Sequence, residues 1–274
     1  MAAVPPEGKS AKPGLNIYTC RAVNPYKLSI AVEELGIPCH YIPMDLTADE
    51  HKADWYLAIN PNGRVPAIVH VKEDGSKEVI FETAACLLYL AHEFDKEHKI
   101  SYPYGTPEYW TQVSWLSWQV ASYGPMMGQA VHFNRYAVEP VPYGVWRYTS
   151  ECRRLHHVLN EQLAKHPFIT GDRLNIADIA IFIFVASSKW CGLDVDEFPH
   201  LAAWRDKLLK RPQFQKGLIT PEPFIFTDEY VTKPENQEIY KTIRKLGGQW
   251  IKQSSDRWSK GSPVSLPSDF ANYA

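Results

Sequence analysis

The stretch Asn60–Glu93, NPNGRVPAIVHVKEDGSKEVIFETAACLLYLAHE, decides the fold. Val65–Val71 (VPAIVHV) is an apolar, β-branched run opened by a proline, and reads as a strand. Glu73-Asp74-Gly75-Ser76 is a hairpin turn signal, with glycine supplying the positive φ that such turns need. Glu78–Phe81 returns as the antiparallel partner. Thr83–Glu93 (TAACLLYLAHE) then carries its apolar residues at helical spacing.

Upstream lies the other half of the same unit. Leu15–Thr19 (LNIYT) reads as a buried strand and Pro25–Leu35 as an amphipathic helix. Pro25 sits in the first turn, where a missing N–H costs nothing, and Gly36 and Pro38 end the helix. Cys39–Pro43 is a second short strand. A β-α-β with so short a connection favours parallel strands in one sheet. With the polar connector Asp45–Ile59, the order becomes β-α-β, connector, β-β-α, the layout of a thioredoxin-like domain over residues 15–95.

Downstream, 96–107 is polar, with two prolines and a glycine, and reads as the linker. Strand signals vanish after it. Helices are expected over Glu108–Tyr136, Val145–His166, Asn175–Trp190 and Phe198–Leu209, forming an all-helical domain over 108–220. Asn175 and Asp178 are spaced as a capping box. Residues 1–14 (MAAVPPEGKSAKPG) read as a disordered start. Residues 221–274 read as a C-terminal extension packing on the helical domain, with one helix, Pro234–Leu246, and Gly247-Gly248 arguing against its continuation. The extension's many aromatic residues, Phe224, Phe226, Tyr230, Tyr240, Trp250, Trp258, Phe270 and Tyr273, are unlike a linker.

Composition narrows the function. Lys+Arg 29 against Asp+Glu 31 leaves a net charge of −2, so no basic field exists to hold nucleic acid or an anionic membrane. The five cysteines are an odd number and no pair is spaced C-x-x-C, which argues against a disulfide framework or a zinc site and suits a reducing compartment. The longest apolar stretch, Ile176–Ala186, is interrupted by Asp178 and far short of a membrane span. A cytoplasmic protein without a metal is expected.

Three places could carry chemistry. In the turn Cys20–Tyr26, Asn24 stands at the positive end of the first helix, where thioredoxin-type redox proteins place a cysteine; an asparagine amide there can donate to the thiolate of a ligand, or simply cap the helix. Pro66, opening a strand, is of the kind that is often cis, which would turn the Val65 backbone toward an extended peptide. Glu82-Thr83 at the next helix start offers a carboxylate for an ammonium and a hydroxyl with free N–H groups for a carboxylate, so together they suit an α-amino acid head. His51 or Lys52 in the connector could hold a second carboxylate. A small peptide with a central thiol, an amino-acid head and a carboxylate tail fits this set, and glutathione is such a peptide.

NPNGRVPAIV (60–69), FETAACLLYL (81–90) and GDRLNIADIAIF (171–182) resemble the glutathione S-transferase superfamily in the right order, over about residues 15–220. EHKADWYLAINPNGRVPA (50–67) and WLSWQVASYGPMMGQAVHF (115–133) look most like the fungal branch containing the yeast nitrogen-catabolite regulator, with the bacterial nu class close by. The resemblance implies a dimeric glutathione transferase. In it, Asn24 faces the thiol as the catalytic residue, His51 lies near the glycine carboxylate, and Arg64 and Val65 precede a cis Pro66. Val65 binds the cysteinyl backbone, and Glu82 with Thr83 holds the γ-glutamyl head. Asn175 and Asp178 are carried over as a folding device. Asn24-Pro25 replaces the branch's usual Asn-Gly, which leaves Thr19, Tyr18 and the backbone as alternative thiol donors. A hydrophobic electrophile is expected against Tyr123, Met126, Met127 and Phe133. A fungal secondary-metabolite intermediate, a glutathione-dependent cis–trans isomerisation and a non-catalytic regulatory binder are the further options. Thiol transfer is weakened by Asn24 in place of cysteine.

Overall fold

The computed structural model describes residues 4–259. The first domain contains β1 (Gly14–Thr19), α1 (Pro25–Leu35), β2 (His40–Pro43), a one-turn α2 (Asp54–Leu57) in the connector, β3 (Ala67–Val71), β4 (Lys77–Phe81) and α3 (Thr83–Phe94). The sheet order is β2-β1-β3-β4, with β1 parallel to β2 and antiparallel to β3, and β3 antiparallel to β4. This is the thioredoxin-like arrangement expected from the sequence.

Alternation of side chains along the strands sets the two faces of the sheet. Leu15, Ile17 and Ile68 join α1 and α3 in the main core, which continues into the helical domain. Tyr18, Ala67 and Val69 point the other way and are covered by Trp55 and Tyr56 of α2.

The second domain holds α4 (Pro107–Trp118), a π-helical turn (Gln119–Tyr123), α5 (Gly124–Val131), a second π-helical turn (His132–Tyr136), α6 (Pro142–Leu163), α7 (Ile176–Val185), α8 (Pro199–Leu209) and α9 (Pro212–Leu218). The single helix expected over 108–136 is therefore interrupted twice. Pro125 lacks the N–H that would continue an α-ladder, and the first widened turn precedes it. All ten residues of α7 are buried, as its apolar sequence requires. The capping box is formed: Asn175 Oδ1 accepts from the Ala177 N–H, and Asp178 accepts from the Asn175 N–H at 3.1 Å.

Three features depart from the sequence reading. The N-terminal segment, read as disordered, is held from Lys9 on: Lys9 pairs with Glu50, its carbonyl accepts from the Tyr18 hydroxyl, and Lys12 exchanges two hydrogen bonds with Asn16. Residues 1–3 lie outside the described residues. Helix α9 was not expected. It packs on α1, where Gly217 lets the chains close up: a Cβ there would sit 2.7 Å from Ile30 Cα.

The third departure is the extension, which forms α10 (Asp228–Thr232) and α11 (Gln237–Ser259). α11 runs straight through Gly247-Gly248. These glycines are contact points rather than a break: an added Cβ would meet the Tyr136 ring at 2.6 Å from Gly247 and the Tyr136 carbonyl at 2.8 Å from Gly248. Phe224, Phe226 and Tyr240 are buried, and Phe226 and Tyr240 close on Trp190 at 5.2 and 5.1 Å between ring centres. Phe270 and Tyr273 lie outside the described residues.

Candidate active site

The polar half of the site is built where the start of α1, the start of α3 and the chain entering β3 converge. Asn24 precedes α1, is exposed, and makes no side-chain capping bond. Its amide is thus not spent on capping the helix. Arg64 is exposed, and its carbonyl accepts from Tyr56 Oη and Asn60 Nδ2, each at 2.7 Å, which fixes the backbone just ahead of the Val65–Pro66 bond. That bond is cis. Neither backbone group of Val65 has a hydrogen-bond partner among the described residues, so both remain available to an extended ligand.

Glu82 holds φ at 69°, a left-handed conformation uncommon outside glycine and asparagine, and its carboxylate accepts from Asn62 Nδ2 at 3.3 Å. Thr83, the first residue of α3, is buried, and its hydroxyl oxygen accepts from Lys27 Nζ at 3.3 Å. His51 is buried at 1% exposure rather than solvated, beside Lys52, whose ammonium donates to the carbonyls of Asn62 and Gly63. The connector therefore grips the loop leading to Arg64 and Val65.

Of the alternative thiol donors, Tyr18 is directed to the opposite face of the sheet, where its hydroxyl donates to the Lys9 carbonyl at 2.8 Å. Thr19 is buried at 2% exposure. Burial pushes the thiol of Cys20 up to about 12, which disfavours its thiolate form.

The apolar half is a cavity of about 600 Å³ that opens beside Asn24. Its walls include Val131, Tyr136 and Phe184 of the helical domain and Phe226, Ile239 and Ile243 of the extension. Arg21 and His132 are its basic lining residues. The extension is fastened across the mouth: Arg21 pairs with Glu222 at 2.6 Å, Tyr26 Oη donates to the Glu222 carbonyl at 2.9 Å, and Tyr26 packs on Phe224.

The residues expected against an electrophile do not line this cavity. Tyr123 is fully buried, donates or accepts at His156 Nε2 across 2.9 Å, and stacks on Trp118. Met127 is fully buried in the core, with Met126 packed against it. Phe133 stacks on Tyr148 and faces a separate hollow with Val138 and Trp146. Two π-helical turns, Gln119–Tyr123 and His132–Tyr136, contain or flank these positions, so the stretch does not keep the regular spacing of one α-helix. The actual walls come from segments distant in sequence, which periodicity does not link. Ile239 and Ile243 could have been found from their four-residue spacing.

Among the described residues, no helix is long and apolar enough to cross a membrane, and no group of three or more His, Cys, Asp or Glu could hold a metal ion.

A thioredoxin-like domain joined to a helical one, with the cis Val65–Pro66 bond, Glu82 and Thr83 gathered where α1 and α3 begin, defines the two-domain architecture of the glutathione S-transferase class. The chain belongs to the glutathione S-transferase family: residues 24–93 match the model of its N-terminal domain and 149–212 that of its C-terminal domain. It is 35% identical to the glutathione S-transferase-like protein gedE of Aspergillus terreus over 73% of this chain and 93% of that one. With the disulfide-bond oxidoreductase YfcG of Escherichia coli it shares 33% identity, over 75% and 94%. URE2 of Eremothecium gossypii is 29% identical over 75% and 68%, in keeping with the fungal branch. A glutathione transferase homolog from Lodderomyces elongisporus, solved with two GSH per subunit, superposes with a TM-score of 0.73 at 39% identity, covering 77% of this chain and all of that one.

Proposed function

We propose that this chain is a glutathione transferase that activates the thiol of bound glutathione for attack on an apolar electrophile. The observation that carries the reading is the uncommitted Asn24 amide, at the positive end of α1 and at the mouth of the apolar cavity. Glutathione lies in the polar half, its head at Glu82 and Thr83, its cysteinyl backbone against Val65 beside cis Pro66, and its glycine end toward the exposed Arg64, with the buried His51 behind the loop rather than in contact. Asn24 donates to the sulfur. A free thiol has a pKa of about 8.5, and each unit of depression needs about 1.4 kcal/mol of extra interaction with the thiolate. One charge-assisted hydrogen bond and the α1 dipole are of that size. The thiolate attacks the electrophilic carbon, a C–S bond forms, and the electron pair leaves with a departing group or takes a proton after addition to a conjugated double bond. In the second case, elimination in the other geometry returns glutathione and gives cis–trans isomerisation.

The second substrate lies against Tyr136, Phe184, Phe226, Ile239 and Ile243, in place of the Tyr123, Met126, Met127 and Phe133 wall read from the sequence. A rigid, uncharged molecule suits that lining, as an intermediate of fungal secondary metabolism would. Reduction of a disulfide, the activity in YfcG's name, requires room for a second thiol compound; the isoleucines favour an apolar partner, and Arg21 and His132 are the lining residues that a charged one would have to meet. We further infer a cytoplasmic homodimer, whose contact surface includes the exposed Val79 and Phe81 on the edge strand β4.

The test is incubation with glutathione and a panel of apolar electrophiles, followed by mass spectrometry. A conjugate or an isomerised substrate is expected. Mixed disulfide alone would shift the reading to the YfcG type, and binding without turnover to a regulatory binder.

A further inference from the structure

Lys27 is the third residue of α1 and is 1% exposed. Its ammonium donates to Gln119 Oε1 at 3.0 Å and to Thr83 Oγ1 at 3.3 Å, and lies 5.1 Å from the centre of the Phe184 ring. Both hydrogen-bond partners are uncharged. A buried cation without a counter-ion is costly, and burial brings this ammonium down to about 7, with Glu82 alone opposing the shift. The charges on the elements packed around α1 are otherwise engaged. On α1 itself Glu33 pairs with Lys216 and Glu34 with Arg211, both from the α9 side; on α7 Asp178 is held in the capping box. His92 and Glu93 lie at the far end of α3.

An ammonium can only donate, so Thr83 Oγ1 must accept from Lys27, and the threonine's own proton must point elsewhere. At the start of α3 it can point into the cleft, toward a ligand carboxylate. Gln119 holds Lys27 in place from the helical domain, and its amide folds over Gly124, where a Cβ would come within 2.8 Å of Gln119 Nε2.

We propose that Lys27 is a positioning residue for glutathione: acting through Thr83, it orients the hydroxyl that binds the γ-glutamyl carboxylate and supplies from behind the positive charge that this carboxylate neutralises. The inference rests on the glutathione reading above. The arriving carboxylate stabilises the charged form of Lys27, so its pKa rises on binding. Below about pH 7 Lys27 is already charged and binding takes up no proton; above it, binding takes up a proton and affinity falls as pH rises.

S-methylglutathione, which has no thiol to titrate, is the probe. Calorimetric titration in two buffers of different ionisation enthalpy reads the proton balance. For the unaltered protein, uptake is expected to approach about one proton at pH 8 and to be close to zero at pH 6. Lys27→Met should bind about 10- to 100-fold more weakly at pH 6, without proton uptake at either pH. Its ligand-free melting temperature should stay within a few degrees of the parent, because an apolar side chain of similar length replaces a buried charge. A merely structural lysine would lower stability and leave the proton balance alone. Absence of proton uptake at pH 8 in the unaltered protein overturns the proposal, and that measurement needs no variant to fold. Equal affinity of a folded Lys27→Met also overturns it. If the unaltered protein does not bind S-methylglutathione at all, the glutathione reading itself fails, and the two failures are told apart by the presence or absence of binding heat.

Discussion

The two halves of the site are built in opposite ways. The polar half uses backbone groups, helix starts and short side chains, mostly from residues 24–83, placed by turns and caps that are local in sequence. The apolar half gathers Tyr136, Phe184, Trp190, Phe226, Ile239 and Ile243 from a helix end, a core helix, a loop and an extension beyond the matched family domains. Recognition of an invariant ligand suits the first design and recognition of a particular hydrophobic molecule the second. A single substitution should therefore disturb one half and leave the other.

The largest effect is expected at Glu82. Replacing it by alanine should weaken glutathione by about 10- to 100-fold, since hydrogen bonds to charged groups contribute about 1.5–3 kcal/mol. Binding of an apolar fluorescent dye in the cavity should not change. A matching loss of dye would mean that the halves are one unit. Next comes Gly247→Val. Its side chain would collide with Tyr136 and lift α11, which costs about 1–3 kcal/mol in stability. Turnover of bulky apolar electrophiles should fall about tenfold while glutathione affinity, read by calorimetry, stays within about twofold. Asn24→Ala lies on the boundary between the halves. It should raise the pKa of the bound thiol by about one unit, slowing conjugation about tenfold at neutral pH, as read from thiolate absorbance against pH. An unmoved pKa would pass the role to a backbone donor. The smallest change is expected from Cys20→Ser, with activity within about twofold of the parent, because the thiol is held protonated by burial. A mixed disulfide with glutathione on Cys20 during turnover would contradict this.

The same contrast explains what could be read from the sequence. The hairpin turn at Glu73–Ser76, the Asn175–Asp178 cap and the proline-opened β3 are short-range signals, and each stands where its spacing placed it. Glu82 and Thr83 stand at the start of α3, where the helical run after them placed them, and the binding role proposed for them was suggested by an acid and a hydroxyl at a helix start. The cavity was not legible, for two physical reasons. The wall expected at Tyr123, Met126, Met127 and Phe133 lies in a stretch that the π-helical turns at Gln119–Tyr123 and His132–Tyr136 carry off a regular 3.6-residue period. Gly247-Gly248, which by propensity end a helix, instead allow α11 to touch Tyr136, a fact of packing between segments more than a hundred residues apart. Lys27 gave no signal of its own, since a lysine on an amphipathic helix is ordinarily solvated.

The fastening of the extension to the start of α1 also sets an order of assembly. Arg21 and Glu222 are 201 positions apart, Ser29 and Gly217 188, and Glu34 and Arg211 177. Contacts of such separation form late, because loop closure must precede any gain from them. On the ribosome, the four-stranded sheet is complete long before residues 211–222 are made, so the face of α1 that α9 covers waits open, with Ser29 and Ile30 exposed to water. The nascent chain thus carries a sticky helix for most of its synthesis, and its time to a protected state is governed by the arrival of α9 and the segment after it.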